Sequence, residues 1–132
     1  MIPERLAPQI YALMRIVFGL MFMTYGMQKF GMLGGLDGNG AAAPFLSWPY
    51  GIAAILELVL GALIAIGLFT RPAAFVASGE MAVAYFTAHQ PQGMLPAQND
   101  GMPAVLFCFA FLYVAARGAG PLSADGAMSH RR

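Results

Sequence analysis

One arginine inside an apolar stretch constrains this chain more than any other feature. Residues 8–29, PQIYALMRIVFGLMFMTYGMQK, are long enough to cross a bilayer, since a span takes about 20 mostly apolar residues at about 1.5 Å rise each. Arg15 lies within them. A charge in a spanning helix costs roughly 2.5–3.5 kcal/mol on insertion scales. Arg15 is therefore expected to face the protein interior and to have an acidic partner. On a helix, Arg15, Gly19, Phe22, Gly26 and Lys29 share one face.

Three further apolar stretches follow. Residues 51–69 carry Glu57 as their one ionisable side chain, set in a stripe of Ala54, Glu57, Gly61, Ala65 and Leu68. Small residues in such a stripe let membrane helices approach closely. Thr70, Arg71 and Pro72 are expected to form a tight reversal. Residues 72–88 carry Glu80 near their middle, on a face with Val76, Ala84 and Thr87, and residues 102–116 are uncharged. The expectation is an all-α fold: one integral membrane domain over 1–132, a bundle of four spans at about 8–29, 51–69, 72–88 and 102–116. Arg5, Arg71, Arg117, Arg131 and Arg132 flank one side and Lys29 the other, so the basic-side rule puts both termini in the cytoplasm of a bacterial inner membrane.

With 59% hydrophobic and 10% charged residues, the chain lies outside the range of soluble domains, and the lipid bilayer is its expected solvent. A net charge of +1 gives no basic surface for nucleic acid. The lone Cys108 excludes an internal disulfide. His89 and His130 are too far apart in sequence for a haem pair, and no metal-ligand cluster is apparent. Any electron chemistry must use a diffusible or partner-borne cofactor. The loop of residues 30–50 has no strand or helix start in the dinucleotide-binding pattern, and Asp37 with Asn39 are too few for a calcium loop. Phe45, Trp48 and Tyr50 suit the membrane–water interface, with the loop lying against the bundle mouth. Asn99 and Asp100 are expected to cap the fourth helix, with Pro103 in its first turn.

Counted from the basic side at about 1.5 Å per residue, Arg15 lies at roughly 10 Å, Glu80 at roughly 12 Å and Glu57 at roughly 18 Å. An Arg15–Glu80 ion pair is the expected structural link. Glu57 either joins it or bonds to the far end of the first helix, near Tyr25, Gln28 and Lys29. Two functional readings stay open. The charges fasten the helices and do nothing more, or they line a polar pocket for a quinone head group or a proton path. Arg15, Glu57, Glu80, His89, Lys29 and Tyr25 are the candidate ligand residues. His89 attracts notice as a proton donor because an unperturbed histidine titrates near neutrality.

The pieces RIVFGLMFMTYGMQKFG (Arg15 to Gly31), LELVLGALIAIGLFTRPAA (Leu56 to Ala74), EMAVAYFTAHQPQG (Glu80 to Gly93) and NDGMPAVLFCFAFLYVAARGAGPLSAD (Asn99 to Asp125), in this order, resemble the DoxX family of small four-helix membrane proteins. The resemblance covers nearly the whole chain. It implies Arg15, Lys29, Glu57, Glu80, His89 and Asn99 as the family's polar positions. It also implies a role beside quinone-linked oxidoreductases, such as a quinol oxidase subunit or thiosulfate-to-quinone transfer, or in membrane complexes handling oxidative stress. Related four-helix proteins act as assembly factors. Where many members have a glutamate at the start of the fourth helix, this chain has Met102 followed by Pro103. The leading expectation is an inner-membrane subunit of a quinone-linked oxidoreductase, taking electrons from a redox partner subunit and able to form a homo-oligomer. The alternative is a non-catalytic scaffold or assembly subunit, and a transporter or pore is less favoured.

Overall fold

The computed structural model describes residues 1–129. His130 and two of the arginines counted on the basic side, Arg131 and Arg132, lie outside the described residues. The described chain is helical, with no strand beyond one isolated bridge between Gly35 and Ala41. A single 3-10 turn leads into α1 (Ala7–Lys29), which has Pro8 in its first turn, where a missing N–H is harmless. The chain continues through α2 (Tyr50–Ile66), α3 (Thr70–Ala84), the short α4 (Pro96–Asn99), α5 (Met102–Arg117) and the tail helix α6 (Ala124–Ser129). A π-turn, Tyr85–His89, extends α3.

The reversal between α2 and α3 lies earlier than the sequence suggests. Gly67 takes the left-handed conformation, its N–H bonding to the Leu63 carbonyl, and the Leu68 N–H bonds to Leu63 as well. This glycine cap ends α2 at Ile66 rather than Phe69. Thr70, Arg71 and Pro72 accordingly form the first turn of α3 and not the turn itself.

Helix α1 packs along α2, α3 along α5, and α2 meets α3. The α1–α2 seam depends on glycine. A Cβ on Gly19 would stand 2.6 Å from the Ala65 nitrogen, and one on Gly61 would stand 2.7 Å from the Gly19 carbonyl oxygen. Only glycine permits backbones that close. At mid-height the interior is aromatic: Phe22 meets Phe111 at 4.9 Å and Phe107 at 5.7 Å between ring centroids, and Phe107 meets Phe111 at 5.5 Å. These rings separate two polar ends.

The buried face of α1 comprises Tyr11, Ala12, Arg15, Gly19, Phe22 and Gly26. In α3 the buried residues are Thr70, Ala73, Ala74, Ala77, Ser78 and Met81; of the face shared by Val76, Glu80, Ala84 and Thr87, Val76 is exposed and the other three line a cavity. The distribution of polarity is inverted relative to a water-soluble protein. Arg15 is 0% and Glu57 2% exposed, whereas Leu13, Val59, Phe75 and Phe109 (65%) point outward. The segment Glu4–Lys29, 26 residues with a mean hydropathy of 1.6, is long and apolar enough to cross a membrane; Tyr50–Ile66 and Met102–Arg117 are apolar but shorter.

Candidate functional site

The two polar ends are built differently. At the first, which may be called the clamp end, Arg15 makes no contact with a carboxylate. Its Nε donates to the Ile64 carbonyl at 3.0 Å, and its terminal nitrogens donate to Ala65 (3.4 Å), Pro121 (3.1 Å), Leu122 (2.7 Å) and Ala119. Ile64 and Ala65 belong to the last turn of α2, whose carbonyls have no partner within the helix, and a cation there also meets the negative end of the helix dipole. The expected Arg15–Glu80 pair is therefore replaced by a main-chain clamp. The physical reason is positional: counting along each helix assumes that α1 and α3 start in one plane, whereas Arg15 lies beside the last turn of α2 and Glu80, well along α3, lies at the cavity end. Helix α1 packs on α2, not on α3, and the aromatic layer fills the space between.

Other side chains at this end act likewise. The Tyr11 hydroxyl donates to Gly118 at 2.6 Å, and the Arg71 guanidinium donates to the last carbonyls of α5, Ala115, Ala116 and Arg117. Asp125, in the tail, accepts from the Phe69 and Thr70 N–H groups at 3.0 and 2.9 Å, capping α3 from afar, while Ser123 accepts from Gly126. Partial burial pushes the Asp125 carboxyl up, but these N–H bonds and the nearby Arg15 outweigh it and hold the group below the usual carboxylate range.

At the opposite end, a cavity of about 390 Å³ lies among α1, α2, α3 and the start of α5. Tyr25, Lys29, Glu57, Glu80 and His89 all line it; Arg15 does not. Lys29 Nζ stands 2.8 Å from Glu57 Oε2 and donates to Oε1 at 3.1 Å, so Glu57 is bonded to the far end of α1, the second of the two alternatives. The ammonium also lies 5.5 Å from the Tyr25 ring centroid. Both Glu80 carboxyl oxygens are shut off from solvent without a hydrogen-bond partner among the described residues. Such a group is costly in a fold.

The mouth is shaped by the π-turn, a feature often found at functional sites. Asn99, fully buried, donates to the Gly93 carbonyl at 2.9 Å and to the Tyr85 hydroxyl at 3.3 Å, and accepts from the Gly101 N–H. It thus braces the turn before α5 and does not cap that helix, whose flanking residue is Gly101. The Asn99 carbonyl accepts from His89 Nδ1 at 3.0 Å. Because a carbonyl only accepts, Nδ1 is the donor in this bond.

Sequence reasoning missed Trp48, Tyr50, Thr87, Gln92 and Asp100, which also line the cavity. The aromatic content of the loop was the signal for the first two. Met102, where the family pattern often has glutamate, is 51% exposed and is not part of the lining; its neighbour Pro103 is, and Asp100 places a carboxylate at the wall. Away from the cavity, in the loop, backbone bonds from Asn39 and Ala41 hold Asp37 below the usual carboxylate range.

The model of the DoxX family matches residues 10–90, a stretch that includes Arg15 and five of the cavity side chains that matter here, Tyr25, Lys29, Glu57, Glu80 and His89. A protein of Haemophilus influenzae, described as an uncharacterized protein, is 40% identical over 131 residues, covering 92% of each chain. No solved structure matches the chain. With its apolar exterior, its inward charges and this match over most of its length, the chain belongs to the DoxX family of membrane proteins.

Proposed function

We propose that this chain is a multi-pass inner-membrane subunit of a quinone-linked oxidoreductase, an integral four-helix bundle with both termini cytoplasmic, binding a quinone head group in the cavity. The observation that carries the reading is Glu80: a carboxyl with two unpartnered oxygens, buried in a cavity at membrane depth, costs stability and serves no visible packing purpose. The orientation follows from Arg5, Arg71 and Arg117 at the clamp end against Lys29 at the other.

The residues present fit such a group. The cavity volume falls within the range of small-molecule sites, about 300–1,000 Å³, and its wall is mostly apolar with a few convergent polar groups. A bound quinone supplies two-electron, two-proton chemistry; the electrons come from a redox partner subunit. Glu80 offers oxygens to a head group, Lys29 presents an ammonium already steadied by Glu57, and His89 stands at the wall with Nε2 free to exchange protons. Trp48 and Tyr50, both exposed, stand at the lining of the cavity.

The test is extraction of the purified protein followed by chromatography for endogenous quinone, with a thermal-shift titration. Copurified quinone and a shift of several degrees are expected; neither appearing refutes the reading. A second reading, a non-catalytic scaffold or assembly subunit, draws on Arg15, whose donors all go to main-chain carbonyls. Under that reading Glu80→Gln lowers folding and complex yield together, whereas a ligand site loses binding with the fold intact.

A further inference from the structure

We infer that Asn99 is the positioning residue for His89: it braces the turn before α5 so that the Asn99 carbonyl holds Nδ1 of the ring as a donor, leaving Nε2 as the nitrogen that meets a ligand in the cavity. The inference rests on the quinone reading only for what that ligand is. Asn99 is fully buried, and its side chain makes three bonds. The amide donates to the Gly93 carbonyl at 2.9 Å and to the Tyr85 hydroxyl at 3.3 Å, while Oδ1 accepts from the Gly101 N–H at 2.9 Å. One side chain thus ties together the loop ahead of α4, the π-turn and the residue that flanks α5.

The bracket leaves little play. Asp100 takes the left-handed conformation, with φ of 58°, which is uncommon for a residue with a side chain. A Cβ on Gly101 would stand 2.7 Å from Asn99 Oδ1 and from the Tyr85 ring, so turn, amide and π-turn pack without room to shift. The Asn99 carbonyl sits in this turn and accepts from His89 Nδ1 at 3.0 Å. The Tyr85 ring, held through its hydroxyl by the same amide, lies 28° from the plane of His89 with centroids 6.5 Å apart. Asn99 therefore governs the ring from two directions. A carbonyl only accepts, so in its neutral state the ring carries its one proton on Nδ1 and keeps Nε2 bare. His89 lines the cavity, and a ring free to swap that proton would offer a ligand a donor in one form and an acceptor in the other. Fixing one form settles which of the two the ligand meets.

The test is nitrogen NMR of isotope-labelled histidine in the full-length protein in lipid nanodiscs. A His130→Gln background without a polyhistidine tag leaves His89 as the histidine observed. At about pH 9, well above the ordinary histidine range, the two ring-nitrogen shifts report which atom carries the proton. The Nδ1–H form is expected to exceed the Nε2–H form by about fivefold, the worth of one net hydrogen bond. In Asn99→Ala the ratio is expected to fall to one or below, and likewise in Asn99→Leu, which keeps the volume. Size-exclusion profiles and melting curves establish that each variant is folded. An asparagine with a purely structural role would lower the melting temperature and leave the ratio where it was, and that result overturns the inference. A wild-type ring mainly in the Nε2–H form overturns it as well, and the wild-type ratio decides the matter alone if neither variant assembles. Addition of a decyl-chain ubiquinone then tests the reading beneath: the Nε2 resonance is expected to move. A resonance that stays put, with the proton on Nδ1 as stated, counts against the quinone and leaves the role of Asn99 standing.

Discussion

Arg15 and Glu80 are both ionisable groups held away from water in the same small protein, yet one is saturated and the other is bare. Arg15 has hydrogen bonds to five carbonyls at the clamp end, on α2 and on the tail; Glu80 has none at the cavity end. A buried charge by itself does not signal function. What separates the two cases is the partner list: when main-chain groups take up every donor, the group is a fastener, and when none does, a ligand has something to meet.

The largest expected break in this contrast comes from Arg15→Ala. It leaves several carbonyls and the chain segment 119–122 without their common donor, a loss of about 3–5 kcal/mol by analogy with other stripped buried charges. Yield and detergent melting temperature report it. Arg15→Lys is expected to recover only part, because one ammonium does not span the positions that a planar fork reaches.

Gly19→Leu comes next and acts on both ends at once. It forces apart α1 and α2 along the seam, where even a Cβ meets Ala65 at 2.6 Å, at about 1–3 kcal/mol for overpacking. Melting temperature and ligand binding should fall together. Glu80→Leu sharpens the contrast by running the other way: relief of an unpartnered polar group is expected to raise stability by about 1–2 kcal/mol while abolishing ligand binding. A fall in melting temperature would show that Glu80 is a fastener after all.

Asp125→Ala gives the smallest change, about 1 kcal/mol, the usual worth of a helix cap. Its pH dependence has a definite sign. The folded-state carboxyl is held below its ordinary value, so its contribution is present above the usual carboxylate range and is lost as pH falls through the depressed value. Melting curves of wild type and Asp125→Ala should therefore converge on acidification from pH 6 toward pH 3.

The inward face of α1 was legible because, in a helix otherwise apolar, glycine and arginine mark the protein side; Arg15, Gly19, Phe22 and Gly26 are all buried. Ala54, Glu57 and Gly61 on α2 were legible for the same reason. The partners were not. Arg15 bonds to carbonyl groups, which every residue carries and no sequence pattern distinguishes, and three of the five belong to the tail, Ala119, Pro121 and Leu122. Glu80 was placed level with Arg15, whereas it lies at the cavity end with Glu57 and Lys29, because counting along separate helices does not show where one starts relative to another. The cavity gathers residues from four separate segments, and only the folded chain brings Asp100 and Trp48 into one wall with Glu57.

The packed rings of Phe22, Phe107 and Phe111 have a further bearing on bioenergetics. Packed phenyl groups carry no exchangeable hydrogen, so these rings supply no relay for hydrogen ions between the clamp end and the cavity end. Any hydrogen ions taken up or released beside Glu80 must enter and leave through the same opening. Turnover there would move no net charge across the membrane, and coupling to the transmembrane potential would have to reside in another subunit.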